Sequence, residues 1–120
     1  MEVTEQHIER ISKLTLASVY PHYLLKVQKK GRTQDELNTV IEWLTGYNTE
    51  EIELAIEQKL TFPEFFDGAT LHLNSNLITG MICGYRIEEI EHPLTRKVRY
   101  LDKLVDELAK GKKMEKILRG

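Results

Sequence analysis

The clearest pattern of apolar positions lies near the C-terminal end of the chain. Five apolar residues alternate there by four and three positions, which is the spacing of one face of an amphipathic helix. They are Leu94, Val98, Leu101, Val105 and Leu108. His92-Pro93 opens this long helix with proline at its first position, and Gly111 interrupts it. Two heptads are too short for an autonomous coiled coil, so we expect the helix to pack within a bundle or against a second subunit. The five residues are therefore our candidates for self-association.

Start signals predict three helices in the middle of the chain. Thr33-Gln-Asp-Glu36 and Thr61-Phe-Pro-Glu64 both read as capping boxes. Asn48 or Thr49 caps the helix between them, because acidic residues follow directly. A short aromatic helix should follow Thr61 and end at Asp67-Gly68. We expect its aromatic side chains to belong to the core, although they could line a ligand pocket.

The N-terminal segment predicts two helices with a break between Thr15 and Ser18. Apolar residues at Ile8, Ile11 and Leu14 indicate the first helix. Ser18 is the predicted N-cap of the second helix, with Pro21 in its first turn.

The segment Asn74 to Tyr85 is open to two interpretations. Its apolar residues recur at helical spacing, and Gly80 and Gly84 stand four apart, which would let two helix axes approach closely. This favours a helix. The alternative is a short buried strand from Ile78 to Cys83, because each interior glycine lowers helix propensity by about 1 kcal/mol.

Together these patterns predict an all-α fold. We expect one domain over residues 1–120, a compact bundle of six to eight mostly short helices. The apolar content of 41% and charged content of 30% are ordinary for a globular protein. The lone Cys83 and an N-terminus without the features of a secretory signal indicate a cytosolic protein. The longest uncharged run, residues 68–85, is too polar to span a bilayer, so we expect no membrane association.

Charge is unevenly distributed along the sequence. Residues 35–91 carry twelve acidic and two basic side chains, whereas residues 96–120 carry nine basic and four acidic ones. In the long helix, Lys103 and Glu107 are spaced to pair, as are Asp106 and Lys110. The remaining surplus gives the candidates for binding an anionic partner. They are Lys110, Lys112, Lys113, Lys116 and Arg119.

Three explanations fit the basic end. It can be a solvated face, it can meet the acidic middle of a second copy in a two-fold dimer, or it can bind nucleic acid. The sequence pI of about 6.1 and the absence of aromatic residues among the basic ones argue against nucleic acid. We therefore favour an interaction protein that binds itself, and we keep a nucleic-acid-binding accessory protein as the alternative.

Catalytic and metal chemistry have weak support in the sequence. Cys83 with Arg86 three residues on is the best candidate for a nucleophile, but its neighbours Ile82 and Gly84 suggest an inert, buried cysteine. The four histidines form no metal-ligand spacing, so we expect no metal and no cofactor. The group Glu88, Glu89 and Glu91 could supply a general acid and base, although it more simply favours the start of the next helix.

Several strings of residues resemble a bacterial family catalogued as domain-of-unknown-function family 2200 (DUF2200). The strings are Ala17-Ser-Val-Tyr-Pro21, Lys30-Gly-Arg-Thr33, Trp43-Leu-Thr-Gly-Tyr47, Leu77-Ile-Thr-Gly80, Ile82-Cys-Gly84 and the segment from Arg99 to Arg119. The resemblance runs from about Ile8 to Arg119. It implies a small, mainly helical, stand-alone prokaryotic protein, and it assigns no activity, cofactor or catalytic residue to any position.

Overall fold

The structure, a computed structural model, describes residues 3–120, so the first two residues of the N-terminal segment lie outside it. Helices and one small hairpin make up this part of the chain. They are α1 (Glu5–Lys13), α2 (Leu16–Gln28), α3 (Gln34–Thr45), α4 (Thr49–Glu57), α5 (Phe62–Asp67), β1 (Met81–Ile82), β2 (Tyr85–Arg86), α6 (Pro93–Ala109) and α7 (Met114–Ile117). The predicted mainly α-helical fold is confirmed. The Cα radius of gyration of 13.4 Å is that of a compact chain of this length.

Helix α6 is the centre of the fold. It packs against α1, α2, α3, α5 and α7, and one hydrophobic cluster contains buried residues from all of these helices and α4. The predicted apolar seam faces this cluster. Val98, Leu101, Val105 and Leu108 are buried, and Leu94 is partly buried against them. The seam therefore forms the core of its own chain, and a second copy would have to use a different surface.

The three predicted helix starts in the middle of the chain are confirmed. Thr33 and Thr61 each complete a capping box with the glutamate three residues on, and Asn48 does the same for α4. His92 caps α6 with Pro93 at the first position. Each of these signals lies within one helical turn, so no distant contact is needed to decide it.

The junction between α1 and α2 lies where the break was predicted, but the cap is different. Thr15, not Ser18, is the N-cap, and its hydroxyl accepts the Ser18 backbone N–H at 3.1 Å. The cause is a long-range contact, an antiparallel bridge that pairs Thr15 with Thr61. Pro21 consequently lies in the second turn of α2, where it has no N–H to donate to the preceding turn.

The predicted helix over residues 74–85 is wrong, and the alternative strand has the wrong bounds. The chain forms a 3₁₀ turn at Ser75–Leu77 and then a hairpin in which Met81 pairs with Arg86 and Ile82 with Tyr85. Cys83 and Gly84, at φ 51° and 82°, form the two-residue turn with both residues in the left-handed region. The glycine needed at this turn lies four residues after Gly80, and that spacing imitated a helix-packing pattern.

The aromatic residues of the middle segment belong mostly to the core, as predicted. Phe62, Phe65 and Phe66 are buried, and the Tyr47 hydroxyl donates to the Phe65 carbonyl at 2.6 Å. Trp43 is partly buried and stacks on a histidine instead. No helix within residues 3–120 is both long enough and apolar enough to cross a membrane.

Candidate ligand-binding site

A cavity of about 370 Å³ opens between α1, α2, α6 and the hairpin, and we call it the hairpin cavity. Its size lies in the range of small-molecule sites. Most of its wall is apolar, and this part comes from Ile11, Leu14, Val19, Phe62 and Val98. Its polar residues are His7, Arg10, His22, Tyr23, Cys83, Arg99 and Asp102. A mainly apolar wall with a few convergent polar groups is typical of a ligand site.

A chain of hydrogen bonds fixes the polar side of the hairpin cavity. The Tyr23 hydroxyl donates to Asp102 Oδ1 at 2.6 Å, and Arg99 Nη1 donates to Asp102 Oδ2 at 2.8 Å. Arg99 Nη2 then donates to His7 Nε2 at 2.7 Å. The chain joins α2, α6 and α1, so the guanidinium of Arg99 is held in one orientation.

The Nε of the Arg99 guanidinium has no acceptor among residues 3–120. This nitrogen is buried, and the guanidinium lies over the Tyr85 ring, with Cζ at 5.3 Å from the ring centroid. A buried donor without a partner costs about 1–3 kcal/mol, so an acceptor that reached the Arg99 Nε would be bound favourably.

The groups around Arg99 have shifted pKa values that suit this network. Burial, the Arg99 charge and the Arg10 charge lower the pKa of His7, so its ring stays neutral and its Nε2 can accept from Arg99. Burial raises the pKa of Tyr23 well above its usual value, and the neighbouring Asp102 carboxylate adds to the rise. Among the lining residues in the described part of the chain, 3–120, Asp102 is the single carboxylate, and it already accepts from Tyr23 and Arg99. The basic residues Arg10 and Arg99 thus leave the cavity with a surplus of positive charge.

Comparison with protein families identifies the chain. The model of the family described as "Uncharacterized protein conserved in bacteria (DUF2200)" matches residues 10–119. The chain belongs to the DUF2200 family. A crystal structure of the uncharacterized protein SP1917 is similar to this DUF2200 fold, with a TM-score of 0.85 and 39% sequence identity. The match covers 92% of this chain and 91% of that chain. A comparison with curated proteins found no match.

The prediction that Cys83 is buried in the core of this DUF2200 chain is wrong. Cys83 lies at the tip of the hairpin and is exposed, while its thiol borders the hairpin cavity. Partial burial of the thiol raises its pKa, and the negative charge of Asp102 adds to the effect. Arg86 lies on β2, with its Nε 3.9 Å from Glu89 Oε1. A raised pKa disfavours the thiolate, so it does not favour Cys83 as a nucleophile.

We predict that thiol-specific labelling of Cys83 goes to completion in the native protein but is slower than in the unfolded chain. The thiol is accessible, but its raised pKa reduces the thiolate fraction, so the native rate should climb between about pH 7 and 9. The measurement is the rate of reaction with a chromogenic disulfide, with and without urea. A native rate above the unfolded rate would contradict this and revive Cys83 as an activated nucleophile.

The structure separates the five basic candidates near the C-terminus into two groups. Lys110 pairs with Asp106 at 3.0 Å, and both Lys112 and Arg119 pair with Glu107, at 3.2 and 2.7 Å. The other two, Lys113 and Lys116, are exposed, and no ion pair within residues 3–120 engages them. Three of the five basic side chains are thus engaged by two carboxylates inside the fold. Nucleic-acid binding stays a prediction that depends mainly on two exposed lysines.

One of the two charge pairs predicted along α6 forms. Asp106 pairs with Lys110, whereas Lys103 donates to the Met81 carbonyl at 3.1 Å and leaves Glu107 to other partners. Lys26 of α2 also pairs with Asp106, at 3.2 Å. Burial alone would raise the pKa of Asp106, but hydrogen bonds from Lys110 and Lys26 lower it overall.

The residues of the hairpin cavity are not recognisable as a group in the sequence. Tyr23 and Asp102 are 79 positions apart, and His7 and Arg99 are 92 apart. The one local signal was Arg99 with Asp102, an opposite-charge pair three residues apart on the predicted helix. That spacing is common on helix surfaces, so it did not point to a site.

Proposed function

We propose that this protein is a non-enzymatic binding protein whose ligand is a small molecule with an apolar body and one carboxylate group. The hairpin cavity is the binding site. The proposal places the protein in the cytosol, which is supported by its single cysteine, unpaired and exposed. A binding protein is also the class that the sequence favours. The partner proposed here is a small ligand, whereas the sequence suggests a second copy of the chain.

The shape and lining of the hairpin cavity support an apolar ligand body. Val19 and Phe62 come from α2 and α5, and Val98 comes from α6, so three elements present apolar surface to one space. Burial of apolar ligand surface against such a wall contributes about 25 cal/mol for each Å² removed from water. The apolar surface supplies affinity, and the few polar groups select which ligand binds.

The observation that carries the proposal is the buried, unpartnered Nε of Arg99. A carboxylate oxygen at this position would accept a charge-assisted hydrogen bond from an arginine whose orientation is already fixed by Asp102 and His7. The donor is preorganised, so little side-chain entropy is lost on binding. A neutral ligand of the same shape would leave the positive charge of the site unmatched.

We predict that octanoate binds saturably and that 1-octanol, with the same chain length and no carboxylate, binds at least about tenfold more weakly. The difference follows from a hydrogen bond to a charged group, worth about 1.5–3 kcal/mol. Binding is measured by titration of ¹⁵N-labelled protein, following the amide signals of α1, α2, α6 and the hairpin.

A blocking variant and a matched control locate the site. Val19→Trp places a large side chain in the cavity and should reduce octanoate affinity at least tenfold. Leu25→Trp puts the same side chain on a half-exposed position of the same helix, outside the cavity, and should leave affinity unchanged. Octanol binding as tightly as octanoate, undiminished binding to Val19→Trp, or no saturable binding to the wild type would each refute the proposal.

A further inference from the structure

A second cavity, of about 320 Å³, lies beside the start of α6, and we call it the Arg96 cavity. Its lining residues are Leu71, Ser75, Asn76, Glu91, Pro93, Arg96, Lys97 and Tyr100, none of which lines the hairpin cavity. We propose that the Arg96 cavity is a separate binding site for a small organic oxyanion, such as a phosphate monoester with a compact apolar or aromatic body. This inference does not depend on the function proposed above.

The Arg96 side chain has no polar partner in the described part of the chain. Within residues 3–120, its side chain makes no hydrogen bond and no ion pair, and its Nε is buried. Its contact is with an aromatic face: Cζ lies 5.8 Å from the centroid of the buried Tyr100 ring. Arg99 also has a buried Nε without a partner within residues 3–120, but its two other nitrogens donate to Asp102 and His7. A partly buried guanidinium without any acceptor lowers the stability of the protein when no ligand is bound.

Further hydrogen-bond donors line the Arg96 cavity. Lys97 follows Arg96 on the same helix, and Ser75 supplies a hydroxyl from the preceding loop. A guanidinium with a second cation and a neutral donor matches the geometry and charge of a phosphate or carboxylate group. Leu71, Pro93 and Tyr100 give the same cavity an apolar side, which fits a compact organic body better than a free inorganic ion.

Two carboxylates lie near Arg96, and neither pairs with it. Glu91 lines the cavity and is exposed to solvent. Glu88 accepts the Gly80 backbone N–H at 3.2 Å, and Arg96 makes only a minor contribution to its lowered pKa. The bound oxyanion therefore belongs on the Arg96 and Lys97 side of the cavity, away from Glu91.

The test is a titration with phenyl phosphate, with inorganic phosphate and benzyl alcohol as separate arms. We expect saturable binding of phenyl phosphate that perturbs the amides of Ser75 and Tyr100. Benzyl alcohol should bind at least tenfold more weakly, because it has no oxyanion. Inorganic phosphate should bind the same residues more weakly than phenyl phosphate, because it leaves the apolar side of the cavity empty. Inorganic phosphate that binds as tightly as phenyl phosphate would contradict the organic ligand that we propose.

Arg96→Met provides the decisive variant, since methionine retains an apolar stem over Tyr100 and removes the charge. We expect at least a tenfold loss of phenyl phosphate affinity together with a melting temperature no lower than that of the wild type. Lys30→Gln removes one positive charge from an exposed turn and should change neither property. Unchanged affinity in Arg96→Met, failure of that variant to fold, or no saturable binding to the wild type would overturn the inference. Failure to fold counts because it would make Arg96 a structural residue.

Discussion

Replacement of Glu107 by alanine is expected to lower the free energy of unfolding by about 3 kcal/mol. Glu107 is only 7% exposed, and its Oε2 accepts from Arg119 Nη2 at 2.7 Å and from Lys112 Nζ at 3.2 Å. Removing one partner of a buried ion pair leaves the other charge unmatched, which typically costs 3–5 kcal/mol. We expect the lower end of that range, because the second partner, Lys112, is 40% exposed and water can solvate its charge when Glu107 is removed.

The neighbouring acid on the same helix gives a matched control. Asp106 pairs with Lys26 and Lys110, whose side chains are 48% and 73% exposed. Ion pairs with exposed partners contribute little to stability, so Asp106→Ala should lower the free energy of unfolding by less than about 1 kcal/mol. Both variants are measured by urea unfolding followed by circular dichroism at neutral pH. Equal losses in the two variants would contradict the distinction between a buried and an exposed pair.

Replacement of Leu101 by alanine is expected to cost about 2–5 kcal/mol, the range for truncating a buried leucine. Leu101 is fully buried and lies in the middle of the α6 seam. The loss should be the same at low and high protein concentration, because the seam packs inside its own chain. The loss is measured from unfolding curves recorded at two protein concentrations that differ a hundredfold.

Leu25→Ala is the control for this second experiment, since Leu25 is half-exposed on α2 and should change stability by less than about 0.5 kcal/mol. A cost at Leu101 that grows with protein concentration would mean that the seam contributes to an intermolecular interface, because association stabilises by mass action. A cost below about 1 kcal/mol would contradict the central packing of α6.

Much of the fold could be predicted because its signals are local. Thr33 and Thr61 each find a glutamate within one turn, and Pro93 follows the capping residue His92. The apolar seam of α6 has a period that only a helix can bury on one side. Each of these helix signals depends on residues that are close in the sequence, so it can be recognised without knowledge of tertiary contacts.

Two parts of the fold depend on information that local patterns do not carry. The start of α2 is set by a bridge between Thr15 and Thr61, which are 46 positions apart in the sequence. The hairpin depends on Cys83 and Gly84 adopting positive φ, and an i, i+4 pair of glycines is equally compatible with close helix packing. Residues whose apolar spacing suits a helix were therefore placed in the wrong element.

The candidate site could not be predicted, because its polar groups come from four separate segments. His7, Tyr23 and Arg99 lie on three helices, and Cys83 reaches the same cavity from the hairpin turn. The apolar neighbour Ile82 suggests a buried Cys83, but Cys83 occupies the hairpin turn and is exposed. Only the folded chain shows that Arg99, whose Nε has no acceptor within residues 3–120, lines a mainly apolar cavity.

The most direct test of the proposed function is a crystal structure of the protein with octanoate. We predict a carboxylate oxygen within about 3.2 Å of Arg99 Nε, with the alkyl chain against Val19 and Phe62. Octanoate bound with its carboxylate in solvent and its chain away from these residues would contradict the assignment of the hairpin cavity as the binding site.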